Sequence, residues 1–245
     1  PHTARMPRPI ELGVSGGNAN DLANNYCCSG TLGALVQKNG VQYILSNSHV
    51  LCGDVAASAG DPDVAVIGDP INQPGLIDVS CQKIPTDYVA NLSSLSSYYW
   101  TFYNVDCAIA QVIPGMVRTD GSIYEVGVIS SQTLEAYVGL LVKKSGRTTG
   151  LTRSAVSAIN VTASIGYEDE CNGVAFTRTY TGQILINQAP NKKFISGGDS
   201  GSLLLEDVAT YPRSVGLLFA GGSFSAIANP IAPVLSYLGV TMVGI

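Results

Sequence analysis

The sequence is short of charge, of histidine and of long apolar runs, and each shortage excludes something. Charged side chains make up 13% of the 245 residues, against 46% hydrophobic, too apolar a mix for a disordered chain. The net charge is −5 and the pI is about 4.9. Nothing basic clusters as a nucleic-acid surface requires, so no nucleic-acid partner is expected. Histidine occurs only at His2 and His49, and the six cysteines, Cys27, Cys28, Cys52, Cys81, Cys107 and Cys171, contain no CxxC pair. Both facts argue against a zinc knuckle or a His/Cys metal site, and no metal is expected. From Ser214 to Ile245 no charged residue occurs, but Gly216, Gly221, Gly222, Asn229, Pro230, Pro233 and Gly239 interrupt the stretch. It therefore reads as buried strands and a short helix, with no membrane span. No signal peptide is visible, and the polar, Pro-rich Pro1 to Pro9 reads as the start of a processed form.

What is present favours β structure. There are 27 Gly and 12 Pro, many Val, Ile, Thr and Ser, and few long helical periodicities. Short apolar runs alternate with Gly, Asn, Asp and Pro. Thr31 to Gln37 and Val41 to Ser46 flank Lys38-Asn39-Gly40, which predicts a hairpin. Asp106 sits in an apolar run, Val105 to Ile113, that ends at Pro114-Gly115. Further strands are predicted at Val138 to Lys143, Ala155 to Val161, Phe176 to Tyr180, Gln183 to Asn187, Ser202 to Leu205 and Ser214 to Phe219. A short C-terminal helix is expected over Ile231 to Leu238. Count and spacing predict two packed β-barrels, residues 1–125 and 126–245, with the boundary in the stretch 119–136. The even cysteine count suits a disulfide framework in an oxidising compartment; buried free thiols are the alternative. Glu168-Asp169-Glu170 reads as a solvated loop rather than a calcium site.

The strongest chemical signal is Gly197-Gly198-Asp199-Ser200-Gly201-Ser202. A nucleophilic serine needs a tight turn, with backbone N–H groups aimed at the developing oxyanion, and glycines permit that backbone. Taken alone, the stretch could equally be a Gly-rich hairpin loop. A general base must accompany it. His2 lies in a terminal arm, whereas His49 ends a predicted strand at Ser46-Asn47-Ser48-His49 and fits that role. Asp106, entering an apolar strand, is costly to bury without a dedicated partner, and an imidazole would supply one.

The order His49, Asp106, Ser200 resembles that of the chymotrypsin/trypsin-like serine peptidase family. Cys28-Ser29-Gly30-Thr31-Leu32 is similar to the strand that precedes the family's catalytic histidine. Ser145-Gly146-Arg147-Thr148-Thr149-Gly150 resembles the bacterial α-lytic protease and streptogrisin branch. Pro9-Ile10 to Gly17 and Gly68-Asp69-Pro70-Ile71-Asn72-Gln73-Pro74-Gly75 resemble narrow-leaf-type trypsin-like peptidases. The resemblance implies an all-β fold of two packed six-stranded antiparallel barrels with a short C-terminal helix. It implies a secreted or extracytoplasmic endopeptidase that needs no cofactor and acts on polypeptides through an acyl-enzyme. The oxyanion hole would be the N–H groups of Gly198 and Ser200. A Cys28–Cys52 disulfide would close the loop carrying His49, and an Arg147–Asp199 ion pair would lie beneath the oxyanion hole. Phe194, Ile195, Ala220, Gly221 and Gly222 would wall a neutral substrate pocket suited to uncharged, apolar residues. Three departures stand out: Ser46-Asn47-Ser48 replaces Thr-Ala-Ala, position 202 is Ser, and Ala220 falls where a serine usually supports the catalytic aspartate. An inactive protease fold used for binding, and a self-processing domain of a larger precursor, are the rival readings. Oligomeric state is not legible.

Overall fold

The computed structural model describes residues 1–23, 26–52, 65–96, 104–167, 176–189 and 191–245. Cys171 and Glu168-Asp169-Glu170 lie outside the described residues.

Among the described residues fourteen strands form two bodies, beside two short two-stranded ribbons. The first-half strands are β1 (Val14–Asn18), β2 (Gly30–Leu32), β3 (Ala34–Lys38), β4 (Val41–Ser46), β5 (Pro70–Asn72), β6 (Tyr88–Leu95) and β7 (Ala108–Val112). The second half supplies β8 (Leu141–Lys144), β9 (Thr152–Tyr167), β10 (Phe176–Asn187), β11 (Leu203–Glu206), β12 (Ser214–Gly221), β13 (Ser225–Pro230) and β14 (Thr241–Met242). The second body is a closed six-stranded barrel, β8-β9-β10-β13-β12-β11. The first is an eight-stranded sheet, β14-β3-β4-β7-β6-β5-β1-β2, completed by a strand from the far end of the chain. The sheet pairings are antiparallel throughout.

The local sequence explains these elements. Asn39 and Gly40 both adopt positive φ, 51° and 77°, as a two-residue hairpin turn matched to strand twist requires. They place Gln37 opposite Gln42 and Lys38 opposite Val41. Helix α2 (Ile231–Leu238) buries Ile231, Val234 and Leu238 at helical spacing and stops at Gly239, φ 66°. The predicted run Thr31 to Gln37 is two strands, broken at Gly33, whose N–H bonds the Leu45 carbonyl at 3.0 Å. The predicted pairs in the second half are longer than expected. β9 runs for 16 residues, and β10 joins two predicted strands across Gly182, φ 74°. Much of β9 is exposed, so its alternation of polar and small residues carries little apolar signal.

Three large apolar clusters carry most of the packing. One fills the first body around Leu35, Ile44, Ile71 and Leu92. One fills the barrel around Val142, Ile186, Phe194 and Leu218. The third joins the bodies, with Val36, Leu45 and Ile109 against Leu203, Leu217 and Val234. The polar residues of interest lie at the cleft above that shared core. Among the described residues no helix is long and apolar enough to cross a membrane.

Candidate active site

β4 ends at Ser46, and the chain turns into a single helical turn, α1 (Ser48–Leu51), that carries His49. Three consecutive polar residues fix this turn. Ser46 Oγ donates to the Thr31 carbonyl at 2.7 Å, and Asn47 Nδ2 to the Asp106 carbonyl at 2.8 Å. The Ser48 N–H donates to Asp106 Oδ1 at 2.7 Å. His49 Nδ1 donates to Asp106 Oδ2 at 2.6 Å. The carboxylate is fully buried while the imidazole remains 24% exposed, so the ring's Nε2 edge is left for the cleft. Buried carboxylates need such dedicated donors. The Tyr167 hydroxyl supplies a further one, to Asp106 Oδ2 at 3.0 Å.

Ser200 sits in the loop before β11. Gly198 and Gly201 both have φ 92°. A Cβ on Gly198 would lie 2.6 Å from Thr148 Oγ1, and one on Gly201 2.1 Å from Ser46 Oγ. Glycine is required at both on conformation and on space. The Ser200 carbonyl accepts the Thr31 N–H at 2.8 Å, and the Gly198 carbonyl accepts Thr31 Oγ1 at 2.9 Å. These bonds tie the loop to the first body. Among the described residues neither the Gly198 nor the Ser200 N–H is given to an internal acceptor. The Ser200 hydroxyl points to the Phe219 carbonyl, 3.4 Å away. His49 and Ser200 line one cleft of about 890 Å³. Its walls include Ile195, Ala220, Gly221 and Gly222, together with Tyr167 and Lys193.

Three expectations are corrected. Arg147 does not pair with Asp199. Its guanidinium grips Asp78 of the first body in a two-point contact, Nη2 to Oδ1 at 2.6 Å and Nε to Oδ2 at 2.8 Å. Asp199 is buried against Lys144 instead, with Nζ 3.5 Å from Oδ1 and both side chains fully buried. Backbone N–H groups of Thr148, Thr149 and Ser196, and the Thr149 hydroxyl, donate to the same carboxylate at 2.7–3.1 Å. Lys144 ends a strand with its side chain fully buried and so reaches Asp199 from within, while Arg147 turns to Asp78. Nor is there a Cys28–Cys52 bridge. Cys27 bonds Cys81 across 54 residues, Cys28 is itself disulfide-bonded, and Cys52 and Cys107 are buried free thiols. Cys52 caps α1, facing the core, and burial pushes its thiol pKa up. Finally, Phe194 does not wall the cleft. It is 2% exposed and packs into the barrel core with Val142 and Leu218, because its N–H and that of Ile195 are both drawn to Gln188 Oε1.

Several contributors escaped the sequence reading. Tyr167 and Tyr180 share a hydroxyl–hydroxyl bond of 2.9 Å, and neither was marked by a motif. Lys193 directly precedes the expected pocket segment, and Lys144 directly precedes the Ser-Gly-Arg motif. His2 is no loose arm residue: its Nε2 lies 2.9 Å from Ser145 Oγ, and burial lowers its pKa. Among the described residues no three His, Cys, Asp or Glu side chains gather as metal ligands would.

Comparison with known proteins places this geometry. Serine protease 1 of Streptomyces fradiae is 27% identical over 252 residues, covering 97% of this chain and 55% of that protein. The chain thus spans about half the length of that relative. A glutamic acid specific serine protease that uses a histidine triad in substrate binding superposes with a TM-score of 0.61 at 20% identity, over 95% of this chain and 100% of the other. An α-lytic protease homolog, N4, gives 0.60 at 18% identity, over 95% and 98%. The fold is therefore chymotrypsin-like. The Nal1 C-terminal domain family matches residues 99–227, just over half of the sequence; the chain belongs to that family.

Proposed function

We propose that this protein is a serine endopeptidase in which His49, Asp106 and Ser200 act as a catalytic triad. The observation that carries the reading is the buried Asp106 carboxylate at 2.6 Å from His49 Nδ1, on a cleft that His49 shares with Ser200. His49 Nε2 takes the proton of Ser200 Oγ as the oxygen attacks the scissile carbonyl. Asp106 holds the tautomer and stabilises the imidazolium. The unspent N–H groups of Gly198 and Ser200 receive the oxyanion. His49 then protonates the leaving amine, the acyl-enzyme forms, and water repeats the sequence to release the acid. The Ser200 hydroxyl turns from the Phe219 carbonyl to His49 when substrate fills the cleft, since such bonds commonly tighten only in the Michaelis complex.

The same reading divides the chain into lobes at residues 1–125 and 126–245, with β14 crossing back onto the first, takes polypeptides as substrate, and assigns an extracytoplasmic location, which the Cys27–Cys81 disulfide supports. Cleavage follows uncharged, apolar residues. Ile195, Ala220 and the Gly221-Gly222 pair offer an uncharged wall. Phe194 is withdrawn, and the Phe219 ring is engaged edge-on by Tyr180 at 4.9 Å. His49 is the one histidine among the described cleft residues, so a recognition histidine of the kind named for the glutamic acid specific neighbour has no counterpart here.

A serine-directed phosphonate tests the chemistry. Stoichiometric labelling of Ser200, abolished in Ser200→Ala and His49→Ala, is expected; each substitution should lower kcat on the order of a million-fold, with the double variant no worse. Absence of labelling in a folded protein contradicts the triad. Peptide-library profiling tests the pocket. A dominant Glu or Asp before the cut would contradict the apolar preference and implicate Lys193 at the rim.

A further inference from the structure

We propose that Tyr167, backed by Tyr180, is the positioning residue that holds Asp106 for His49, an inference that rests on the triad reading above. A carboxylate that orients an imidazole must itself be held. Asp106 Oδ1 is held by the Ser48 N–H, but Oδ2, the oxygen that faces His49, needs a second donor to fix its plane. Ala220, which the family resemblance sets in place of a supporting serine, offers no hydroxyl. The Tyr167 hydroxyl donates to that oxygen at 3.0 Å. Its single proton is thereby committed, so in the 2.9 Å contact between the two phenols Tyr180 is the donor and Tyr167 the acceptor. The result is a directed chain, Tyr180 to Tyr167 to Asp106, whose first bond polarises the second and which ends on the oxygen that also accepts the His49 N–H.

Packing makes the chain rigid. Tyr180 is 1% exposed and Tyr167 9%. The Tyr167 ring meets His49 edge-on, centroids 5.7 Å apart at 64°, and Tyr180 meets Phe219 in the same manner. With Phe219 the two tyrosines form a separate apolar cluster. Both come from the long β9–β10 hairpin, Tyr167 opposite Phe176 at its far end and Tyr180 opposite Ala163. The length of that hairpin carries a barrel residue across to an aspartate of the first body. Tyr167 also lines the cleft, so the residue that steadies Asp106 stands where substrate lies.

The experiment uses the full chain with Tyr167→Phe and Tyr180→Phe, which keep the rings and remove one hydroxyl each. The readouts are kcat and KM on a neutral peptide, and the His49 ring-proton NMR titration. Removing the donor concentrates the Asp106 charge on the His49 N–H and favours the imidazolium. Among the described residues the ionisable neighbours are Asp106, the Cys52 and Cys107 thiols, Tyr180 with Arg178 5.5 Å above its ring, and Asp21 and Lys193 in the cleft wall; all are retained in Tyr167→Phe. Tyr167→Phe should lower kcat about ten- to a hundredfold, as loss of a bond to a charged group implies, with KM unchanged and the His49 midpoint at higher pH. Tyr180→Phe should move both readouts the same way by less. If Tyr167→Phe fails to fold, the Tyr180→Phe midpoint decides. An unmoved midpoint, or a change in KM alone, overturns the proposal. If the unsubstituted protein neither hydrolyses peptides nor takes the phosphonate, the triad reading fails; the His49 midpoint still reports whether Tyr167 governs the Asp106–His49 pair.

Discussion

Replacing Lys144 by methionine separates two opposing forces beneath the Ser200 loop. The ammonium lies 3.5 Å from Asp199 Oδ1 and is fully buried. At that distance, in a medium of effective dielectric about 20, the attraction is about 5 kcal/mol. Yet the Lys144 pKa is lowered from 10.5 to about 8, with burial as the largest cause and Asp199 opposing it. Desolvation therefore wins, by about 3 kcal/mol against the charged form. Asp199 does not depend on Lys144, because three backbone N–H groups and the Thr149 hydroxyl already meet it. What methionine gives up is two hydrogen bonds, to Thr149 Oγ1 and the Gly150 carbonyl, at about 1 kcal/mol each. The terms nearly cancel. Lys144→Met is expected to change stability at pH 7 by under about 2 kcal/mol, less than the roughly 3–5 kcal/mol that breaking a buried pair usually costs.

The pH dependence isolates the effect. With a folded pKa of about 8 below the unfolded 10.5, the unfolded chain holds more protons at this site between those values. The contribution to stability is complete above the unfolded pKa and is lost as pH falls through the folded one. From pH 7 to pH 9.5 the unsubstituted protein should gain about 2 kcal/mol relative to Lys144→Met. Urea unfolding of both proteins at the two pH values measures this, since every other titrating group cancels in the difference. Parallel pH profiles, or a loss above about 3 kcal/mol at pH 7, would refute the reasoning and mean that the ion pair dominates.

Three further outcomes are expected. Arg147→Ala removes the two-point contact with Asp78, whose partners are 16% and 11% exposed, and should cost about 2–3 kcal/mol; a double-mutant cycle with Asp78→Ala that shows simple additivity would contradict a direct coupling. Cys52 and Cys107 should resist iodoacetamide until the protein unfolds, because burial raises both thiol pKa values. The paired change Cys27→Ala/Cys81→Ala opens a loop of 54 residues and should lower stability by up to about 4 kcal/mol, which an unshifted urea midpoint would disprove.

What was legible in the sequence had short-range causes. The Asn39-Gly40 hairpin and the helix over Ile231 to Leu238 are set by turn chemistry and local periodicity, and both occur where expected. The Gly-Asp-Ser-Gly stretch and His49 were legible because their residue types are rare or conformationally demanding. Long-range choices were not legible. Nothing near Arg147 says that Asp78, distant in the chain, will claim its guanidinium, or that Lys144 will point inward. The Cys27–Cys81 pairing depends on where strands bring the backbone, which spacing does not encode. Tyr167 looks like any tyrosine in a polar strand until a 16-residue hairpin arm delivers it to Asp106. The Ser46-Asn47-Ser48 departure carried the clearest unread signal: three polar residues closing an apolar strand announce buried hydrogen bonds.

The pairing of Thr241 with Gln37 and of Met242 with Val36 bears on how this protein can be cut. The chain leaves the first body, builds the whole barrel, and comes back to lay its last strand on the edge of β3. A fragment ending anywhere in the stretch 119–136 would therefore carry a sheet with one flank unpaired, and bare flanks recruit other chains. Split-protein complementation in that stretch should yield a sticky amino-terminal piece, rescued when the carboxy-terminal piece supplies its strand in trans. The same return strand means that tension applied just beyond Met242 would peel β14 from β3 and load the first body before the barrel.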